Sequence, residues 1–184
     1  MNIEEAHLLE GCRKNDRAAL HALYERYAPR MYGFLLRYTA TPEEAQDLLH
    51  DGFIKVFNSI GKLKKDESLE AWMRSVMFYT AISAYRTKHT PAEIDEVEEV
   101  CNDMQQGMDE MTDGVDIAII QHAISELPDS YRIVFNMCEV EGYPAVEASK
   151  LLGISPGTVR SNLHRAKLQL KQALAPYFPQ YNQG

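Results

Sequence analysis

Residues 152–160 read Leu-Gly-Ile-Ser-Pro-Gly-Thr-Val-Arg, and this stretch decides the fold of the last third of the chain. Ser155 is a preferred helix N-cap and Pro156 suits the first helical turn, so a helix is predicted to begin here. A shorter helix is predicted at 145–152, and a tight turn at Gly153 separates the two. A short helix, a glycine turn and a longer helix together predict a helix-turn-helix.

The longer helix is predicted to have an apolar side and a basic side. Its apolar residues recur at helical spacing, and residues 155–184 contain four basic residues and no acidic one. Arginine bonds guanine edges or phosphates, while hydroxyl groups at a helix N-terminus suit phosphates. We therefore predict major-groove binding, the alternative being a surface helix whose charges only maintain solubility. The predicted buried stripe is Val159, Leu163, Ala166, Leu170 and Leu174, and the predicted DNA-facing residues are Ser155, Gly157, Thr158, Arg160, Ser161, His164 and Arg165.

The net charge of −8 is concentrated in one segment. Residues 1–90 carry 13 basic and 12 acidic side chains, residues 115–184 carry six of each, and residues 91–114 carry nine acidic and none basic. That segment has too little apolar surface to offset the entropy of ordering it, so a flexible linker is predicted at 91–114. It separates an N-terminal domain, 1–90, from a C-terminal domain, 115–178.

The N-terminal domain is predicted to be helical throughout. Apolar residues recur at helical spacing from Ala18 to Tyr38, where Pro29 is expected to break or bend the helix. Thr41-Pro42-Glu43-Glu44 has the form of a capping box, a third helix is predicted from about 68 to 86, and no strand-type alternation is present. The predicted fold class is all-α, with two small helical domains joined by a flexible acidic linker.

The helix at 42–57 has an unusual polar face. Opposite its predicted core stripe, positions i, i+3, i+4 and i+7 are Asp47, His50, Asp51 and Ile54. An acidic stripe that contains an apolar residue fits a docking face for a basic partner helix. An ordinary solvated helix face is the alternative.

The helix at 68–86 is rich in aromatic residues. Unstacked bases pack on aromatic rings at about 1–3 kcal/mol per base, and arginines follow the phosphates. Core packing is the alternative, and it applies most to Trp72. Phe78, which shares a side of the helix with Arg74 and Ser75, is predicted to lie on the surface. The aromatic residues are Trp72, Phe78, Tyr79 and Tyr85, and the flanking arginines are Arg74 and Arg86.

Several protein classes find no support in the sequence. Cys12, Cys101 and Cys138 are scattered, which favours reduced cysteines over a zinc site. No nucleotide-binding glycine loop or hydrolase motif occurs, so we expect no catalysis, cofactor or small-molecule substrate. Residues 1–10 lack signal-peptide features, and no run of about 18 apolar residues occurs. We therefore expect a cytoplasmic chain without membrane insertion.

Three motifs together resemble the extracytoplasmic-function group of sigma-70 factors. Residues 45–57, Ala-Gln-Asp-Leu-Leu-His-Asp-Gly-Phe-Ile-Lys-Val-Phe, are similar to the family's polymerase-binding segment, which usually reads AEDLVQEVFLRVW. Residues 71–86 resemble the family's promoter-melting helix. Residues 127–166 follow the pattern of its C-terminal domain in order and spacing. The resemblance covers about residues 8–88 and 115–175.

The resemblance implies a division of labour between the domains. The N-terminal domain would bind core RNA polymerase and recognise and melt the minus-ten promoter element, and the C-terminal domain would read the minus-thirty-five element as duplex. An anti-sigma protein would be a further partner, and the free chain is expected to be monomeric. The implied polymerase-binding residues are Asp47, His50, Asp51, Phe53 and Ile54; the minus-ten residues are Trp72, Arg74, Ser75, Phe78, Tyr79 and Arg86; the minus-thirty-five residues are Ser155, Gly157, Thr158, Arg160, Ser161, Asn162, His164 and Arg165.

The chain departs from the family pattern at several of these positions. His50 stands where glutamine is common, and Tyr79 and Ser83 stand where asparagine and aspartate are common. Asn162 stands where arginine usually follows Ser161, which would change the base preference. Two other hypotheses remain at this point. A free-standing helix-turn-helix regulator explains only residues 115–175, and a protein-binding adaptor leaves the basic helix unexplained.

Overall fold

A computed structural model describes residues 3–63, 68–89 and 117–177, and the chain divides into two compact units, residues 1–85 and 86–184. Within these described ranges all regular secondary structure is helical, which confirms the predicted all-α class. No helix in them is long and apolar enough to cross a membrane. The linker predicted at 91–114 lies outside the described residues.

The first four helices build the N-terminal unit, and α4 runs a few residues past its boundary. They are α1 (Ile3–Arg13), α2 (Arg17–Leu35), α3 (Pro42–Ser59), which continues into a 3-10 turn (Ile60–Lys62), and α4 (Leu69–Lys88). Of the break or bend expected at Pro29, the break is wrong, because α2 continues through this residue. Pro29 lies on the exposed side, where water can satisfy the carbonyl that a proline leaves unpaired, while Tyr27 and Met31 stay buried.

The start of α3 confirms the capping interpretation. Thr41 Oγ1 accepts a hydrogen bond from the Glu44 amide at 3.2 Å, and Glu44 Oε2 accepts one from the Ala40 amide at 3.1 Å. The first bond satisfies an amide that a helix start leaves without a partner, and the second holds the residue before the N-cap. They fix where α3 begins and therefore which residues fall on its polar face.

The buried faces of α3 and α4 approach each other closely at Gly52. A Cβ atom added to Gly52 would lie 2.2 Å from Met77 Sδ, and Met77 is fully buried. Valine stands at this position in the pattern AEDLVQEVFLRVW, which this segment resembles. We expect Gly52→Val to lower the free energy of unfolding of the N-terminal unit by about 1–3 kcal/mol, because the added methyl groups overpack the core. Denaturant titration followed by the fluorescence of Trp72, the one tryptophan of the chain, measures this.

The control for this prediction is a compensating change. Met77→Ala alone should also destabilise the unit, since it leaves a cavity. The double variant should recover part of the loss, because valine then fills the space that the methionine vacates. Strictly additive losses would show that the two side chains do not compete for the same space.

The C-terminal unit contains a helix-turn-helix. Between residues 117 and 177, which the structure describes, its helices are α5 (Ile117–Ser125), α6 (Asp129–Phe135) with a following π-helical turn (Asn136–Val140), α7 (Ala145–Leu152) and α8 (Pro156–Leu174). Gly153 ends α7 in the left-handed conformation at φ 74°, which glycine adopts without strain. Ser155 Oγ accepts a hydrogen bond from the Thr158 amide at 3.0 Å and caps α8. The predicted turn and cap are confirmed.

α8 packs on α5, α6 and α7. The predicted stripe is confirmed, since Val159, Ala166 and Leu170 are buried and Leu163 and Leu174 are partly buried against the same core. Cys12 and Cys138 are free thiols, as expected. Burial, with a smaller effect from the Glu139 carboxylate, raises the pKa of Cys138 to about 11, so its thiol stays protonated and unreactive near neutral pH.

Candidate protein and nucleic-acid interfaces

The polar face of α3, which consists of Asp47, His50, Asp51 and Ile54, is exposed along its whole length. Ile54 has 58% of its surface exposed, and Asp47 and Asp51 make no ion pair with any described residue. His50 Nε2 lies 3.2 Å from Gln46 Nε2. An exposed isoleucine that follows two carboxylates on the same helix face can bury apolar surface against a partner while the acids meet its basic groups.

Phe53 does not belong to this surface. It is buried, and its ring centre lies 4.7 Å from that of Tyr24 on α2. The placement of Phe53 at the polymerase-binding surface is therefore wrong. Its ring holds α3 on α2 and so supports the polar face from inside.

A groove beside α4 carries the exposed aromatic residues. Its volume is about 530 Å³, and Tyr79, which is 53% exposed, forms one wall. Trp72 is half-buried and lines the same groove, so it contributes both to the core and to the surface. A groove of this size with ring walls can hold one unstacked base. The residues that line it are Lys55, Trp72, Ser75, Val76, Tyr79, Thr80 and Ser83.

Phe78 lies in the core, so its predicted surface position is wrong. It is 4% exposed, and its ring contacts those of Tyr38 at 6.0 Å and Tyr79 at 5.3 Å between centres. Arg74, Ser75 and Arg86 are exposed, as predicted. Phe78 thus supports Tyr79, and Tyr79 is the ring that a base can reach.

Lys55 is a groove residue that periodicity missed. Its ammonium donates a hydrogen bond to Thr80 Oγ1 at 3.1 Å, and Thr80 donates to the Val76 carbonyl at 2.8 Å. These bonds hold a positive charge at the wall of an aromatic groove. The only sequence indication was a lone lysine next to the core stripe of α3.

The start of α8 presents a smaller DNA-facing surface than the sequence predicted. Ser155, Arg160 and His164 are exposed, and Gly157, Thr158 and Arg165 are partly exposed. Thr158 Oγ1 lies 2.8 Å from Ser155 Oγ, and Arg165 Nη1 donates to the Tyr131 hydroxyl at 3.3 Å. Arg160 and His164, one turn apart, are therefore the long side chains best placed to enter a groove.

Ser161 and Asn162 are buried, so their predicted contact with DNA is wrong. Ser161 Oγ donates to the Thr158 carbonyl at 3.1 Å, which satisfies its hydroxyl without solvent. Both residues face the helices that surround α8. Asn162 therefore has no surface from which to change a base preference directly.

Two family models match the chain, and both follow the division into helical units. The model described as Sigma-70 region 2 matches residues 23–90, which include α3 and α4. The model described as Sigma-70, region 4 matches residues 117–170, from the start of α5 into α8.

The relatives that match most of this chain are distant in sequence. The chain is 27% identical to "ECF RNA polymerase sigma factor SigE" of Mycolicibacterium smegmatis, over 88% of this chain and 65% of that protein. It is 25% identical to "RNA polymerase sigma-H factor" of Pseudomonas aeruginosa, over 94% and 95% of the two chains. Among solved structures, the sigma factor RpoE in complex with the anti-sigma factor NepR from Bartonella quintana aligns at 18% identity and a TM-score of 0.48, over 84% of this chain and 95% of that one.

Proposed function

The chain belongs to the sigma-70 family of RNA polymerase sigma factors, in its extracytoplasmic-function group, and from this premise we propose that it directs core RNA polymerase to a specific set of promoters. The observation that carries the proposal is the presence of region 2 and region 4 on one chain, in that order. A free-standing helix-turn-helix regulator accounts for region 4 alone and leaves residues 23–90 without a function.

The polar face of α3 is the proposed docking site for core polymerase. It combines exposed carboxylates with an exposed isoleucine, on a helix whose other side is locked into the core. In the family this segment binds the clamp coiled coil of the polymerase. Asp47, His50, Asp51 and Ile54 are the proposed contacts, and Phe53 keeps the helix in position.

The groove beside α4 is the proposed site for the minus-ten element after its strands separate. Tyr79 supplies an exposed ring, Trp72 a second wall, and Ser75 and Ser83 hydroxyl groups at the edges. Stacking tolerates any base, so selectivity would come from groups around the ring. Arg74 and Arg86 flank this surface as proposed contacts to the same DNA.

The start of α8 is the proposed reader of the minus-thirty-five element. Arg160 and His164 would meet base edges or phosphates, and Ser155, Gly157 and Thr158 form a helix N-terminus suited to a phosphate. Arg165 donates a hydrogen bond to the Tyr131 hydroxyl and is a further proposed contact to the DNA. The chain would act by binding alone, in the cytoplasm, with an anti-sigma protein as a further partner by family membership.

Two measurements on the purified full chain test this function. Co-purification with core RNA polymerase distinguishes a sigma factor from a free-standing regulator or an adaptor. Transcription by the reconstituted holoenzyme on a genomic promoter library then identifies the promoters it selects. A chain that binds core polymerase but selects no promoter would contradict the proposal, as would specific duplex binding without any binding to core.

Tyr79→Ala is expected to slow promoter opening by about 5- to 150-fold, because it removes one base-stacking interaction worth about 1–3 kcal/mol. Closed-complex formation should stay close to normal, since stacking begins only after the strands part. Permanganate footprinting over time on a selected promoter measures opening. A template melted beforehand should restore part of the activity, and Tyr79→Phe should keep most of it.

Arg160→Ala is the matched control for Tyr79→Ala. It should weaken closed-complex formation by about 1–3 kcal/mol if Arg160 reads a base, and the melted template should restore little. Normal opening of duplex promoters by Tyr79→Ala would remove Tyr79 from the melting step.

A further inference from the structure

The groove beside α4 contains a cation as well as aromatic walls. Of the described residues that line the groove, Lys55 alone carries a charge, and it reaches the groove from α3. Lys55 is exposed and forms no ion pair with any other described residue. Its ammonium is therefore available to a ligand that enters the groove.

Thr80 fixes the position of this ammonium. Thr80 is 2% exposed, and its hydroxyl donates its single hydrogen to the Val76 carbonyl at 2.8 Å. The Thr80 oxygen can then only accept, and it accepts a hydrogen bond from Lys55 Nζ at 3.1 Å. Because an ammonium has three donors and no acceptor, two N–H groups of Lys55 remain for acceptors in the groove.

Two remaining donors favour a base that offers two adjacent acceptors on one edge. Guanine has O6 beside N7, and lysine bonds this pair when it reads guanine in a major groove. Cytosine has O2 beside N3 on the edge that strand separation exposes. Adenine places its amino group next to N1 and N7, and thymine places an N–H between its two carbonyl oxygens. Each of these two bases therefore presents a donor where Lys55 needs an acceptor.

We infer that Lys55 reads the base that stacks on Tyr79, and that it selects guanine or cytosine over adenine or thymine at that position of the minus-ten element. The inference rests on the proposed function and gives the groove a selectivity that stacking alone does not supply. Lys55 contacts the base. Thr80 is a positioning residue that acts through Lys55.

Promoter opening by the reconstituted holoenzyme tests this selectivity. The minus-ten element of a selected promoter is varied one position at a time through all four bases. The wild-type chain should prefer guanine or cytosine at one position by about 5- to 150-fold, the discrimination expected of one such base contact. Lys55→Met should lose the preference at that position alone. Tyr79→Ala should weaken it at the same position, because the base is then no longer held against Lys55.

Variants of Thr80 separate positioning from charge. Thr80→Val removes the hydroxyl that holds Lys55 and leaves the ammonium in place, so the base preference should weaken while the salt dependence of binding stays the same. Thr80→Ser restores the hydroxyl and should restore the preference. Urea titration of each variant shows whether the N-terminal unit stays folded. Full preference in a folded Thr80→Val variant would overturn the positioning role of Thr80.

The main competing result is a contact from Lys55 to the DNA backbone. In that case Lys55→Met would weaken binding to a pre-melted template equally for all four bases. It would also flatten the slope of log Kobs against log salt concentration by about 0.7, the value for one phosphate of a single strand. This outcome would overturn the reading of a base by Lys55.

Lys14→Met is the matched control. It also removes one exposed lysine of the N-terminal unit, but Lys14 pairs with Glu10 at 2.7 Å, and the variant should keep every base preference. If the wild-type chain selects promoters and Lys55→Met keeps the wild-type preference at every position, the inference alone is overturned. Failure of the wild-type chain to bind core polymerase or to select promoters would overturn the proposed function as well.

Discussion

Reversing both carboxylates on the polar face of α3, with Asp47→Arg and Asp51→Arg together, is expected to abolish binding to core RNA polymerase while the chain stays folded. Both side chains are exposed and form no ion pair with any described residue, so the free energy of unfolding should change little. At a complementary interface each reversal places like charges together, which costs several kcal/mol. At about 3 kcal/mol the affinity falls more than 100-fold, which a pull-down with core polymerase or a titration would detect.

The control carries the same change in net charge elsewhere on the unit. Glu10→Arg with Glu25→Arg replaces two exposed acids of α1 and α2, whose ion pairs with Lys14 and His21 are solvated and contribute little. This variant should bind core polymerase almost normally. Equal losses in the two double variants would indicate a general charge effect, and unchanged binding by the α3 variant would remove this face as the docking site.

Local chemistry made much of the fold predictable. Thr41 and Ser155 are residues whose side chains bond the first amides of a helix, and Gly153 tolerates the left-handed turn that separates α7 from α8. These preferences act within a few residues, so they can be read without knowing the tertiary structure. The polar face of α3 was predictable for the same reason, since its spacing follows from the helix that Thr41 starts.

Burial was harder to predict where a helix meets more than one neighbour. Spacing along α4 placed Phe78 with exposed Arg74, but the Phe78 ring packs against Tyr38, whereas the Arg74 guanidinium lies over the Phe34 ring and its side chain stays exposed. On α8, contact with three helices widens the buried face beyond the apolar stripe, so that Ser161 and Asn162 fall inside it. Ser161 can be buried there because its hydroxyl donates a hydrogen bond to the Thr158 carbonyl of the same helix.

Arg132→Met is expected to lower the free energy of unfolding of the C-terminal unit by about 1–3 kcal/mol, the cost of leaving a buried acceptor without its donor. Arg132 is 1% exposed, and its Nη1 donates to the carbonyls of Ser125 at 2.8 Å and Leu127 at 2.6 Å, where α5 ends. Its Nη2 pairs with the Asp129 carboxylate. Methionine fills similar space but leaves those carbonyls and that carboxylate without this donor.

Spectroscopy can assign this loss to the correct unit. Trp72, the one tryptophan of the chain, lies in the N-terminal unit, so its fluorescence reports unfolding there, whereas far-UV circular dichroism reports both units. In a urea titration, Arg132→Met should leave the fluorescence transition of the N-terminal unit unchanged. The part of the dichroism transition that comes from the C-terminal unit should move to lower urea concentration. The same variant should keep binding to core polymerase through α3 and lose binding to the minus-thirty-five duplex.

Two further variants separate the buried interactions of Arg132 from a general effect of losing an arginine. Arg160→Met removes an exposed arginine of the same unit and should change its stability by no more than about 0.5 kcal/mol. Arg132→Lys keeps the charge, but its compact ammonium cannot reach both carbonyls and the carboxylate together, so its stability should fall between those of wild type and Arg132→Met. Unfolding of Arg132→Met at the wild-type urea concentration would contradict this prediction. It would mean that other donors satisfy the carbonyls at the end of α5, and that the buried guanidinium does not stabilise the helix-turn-helix.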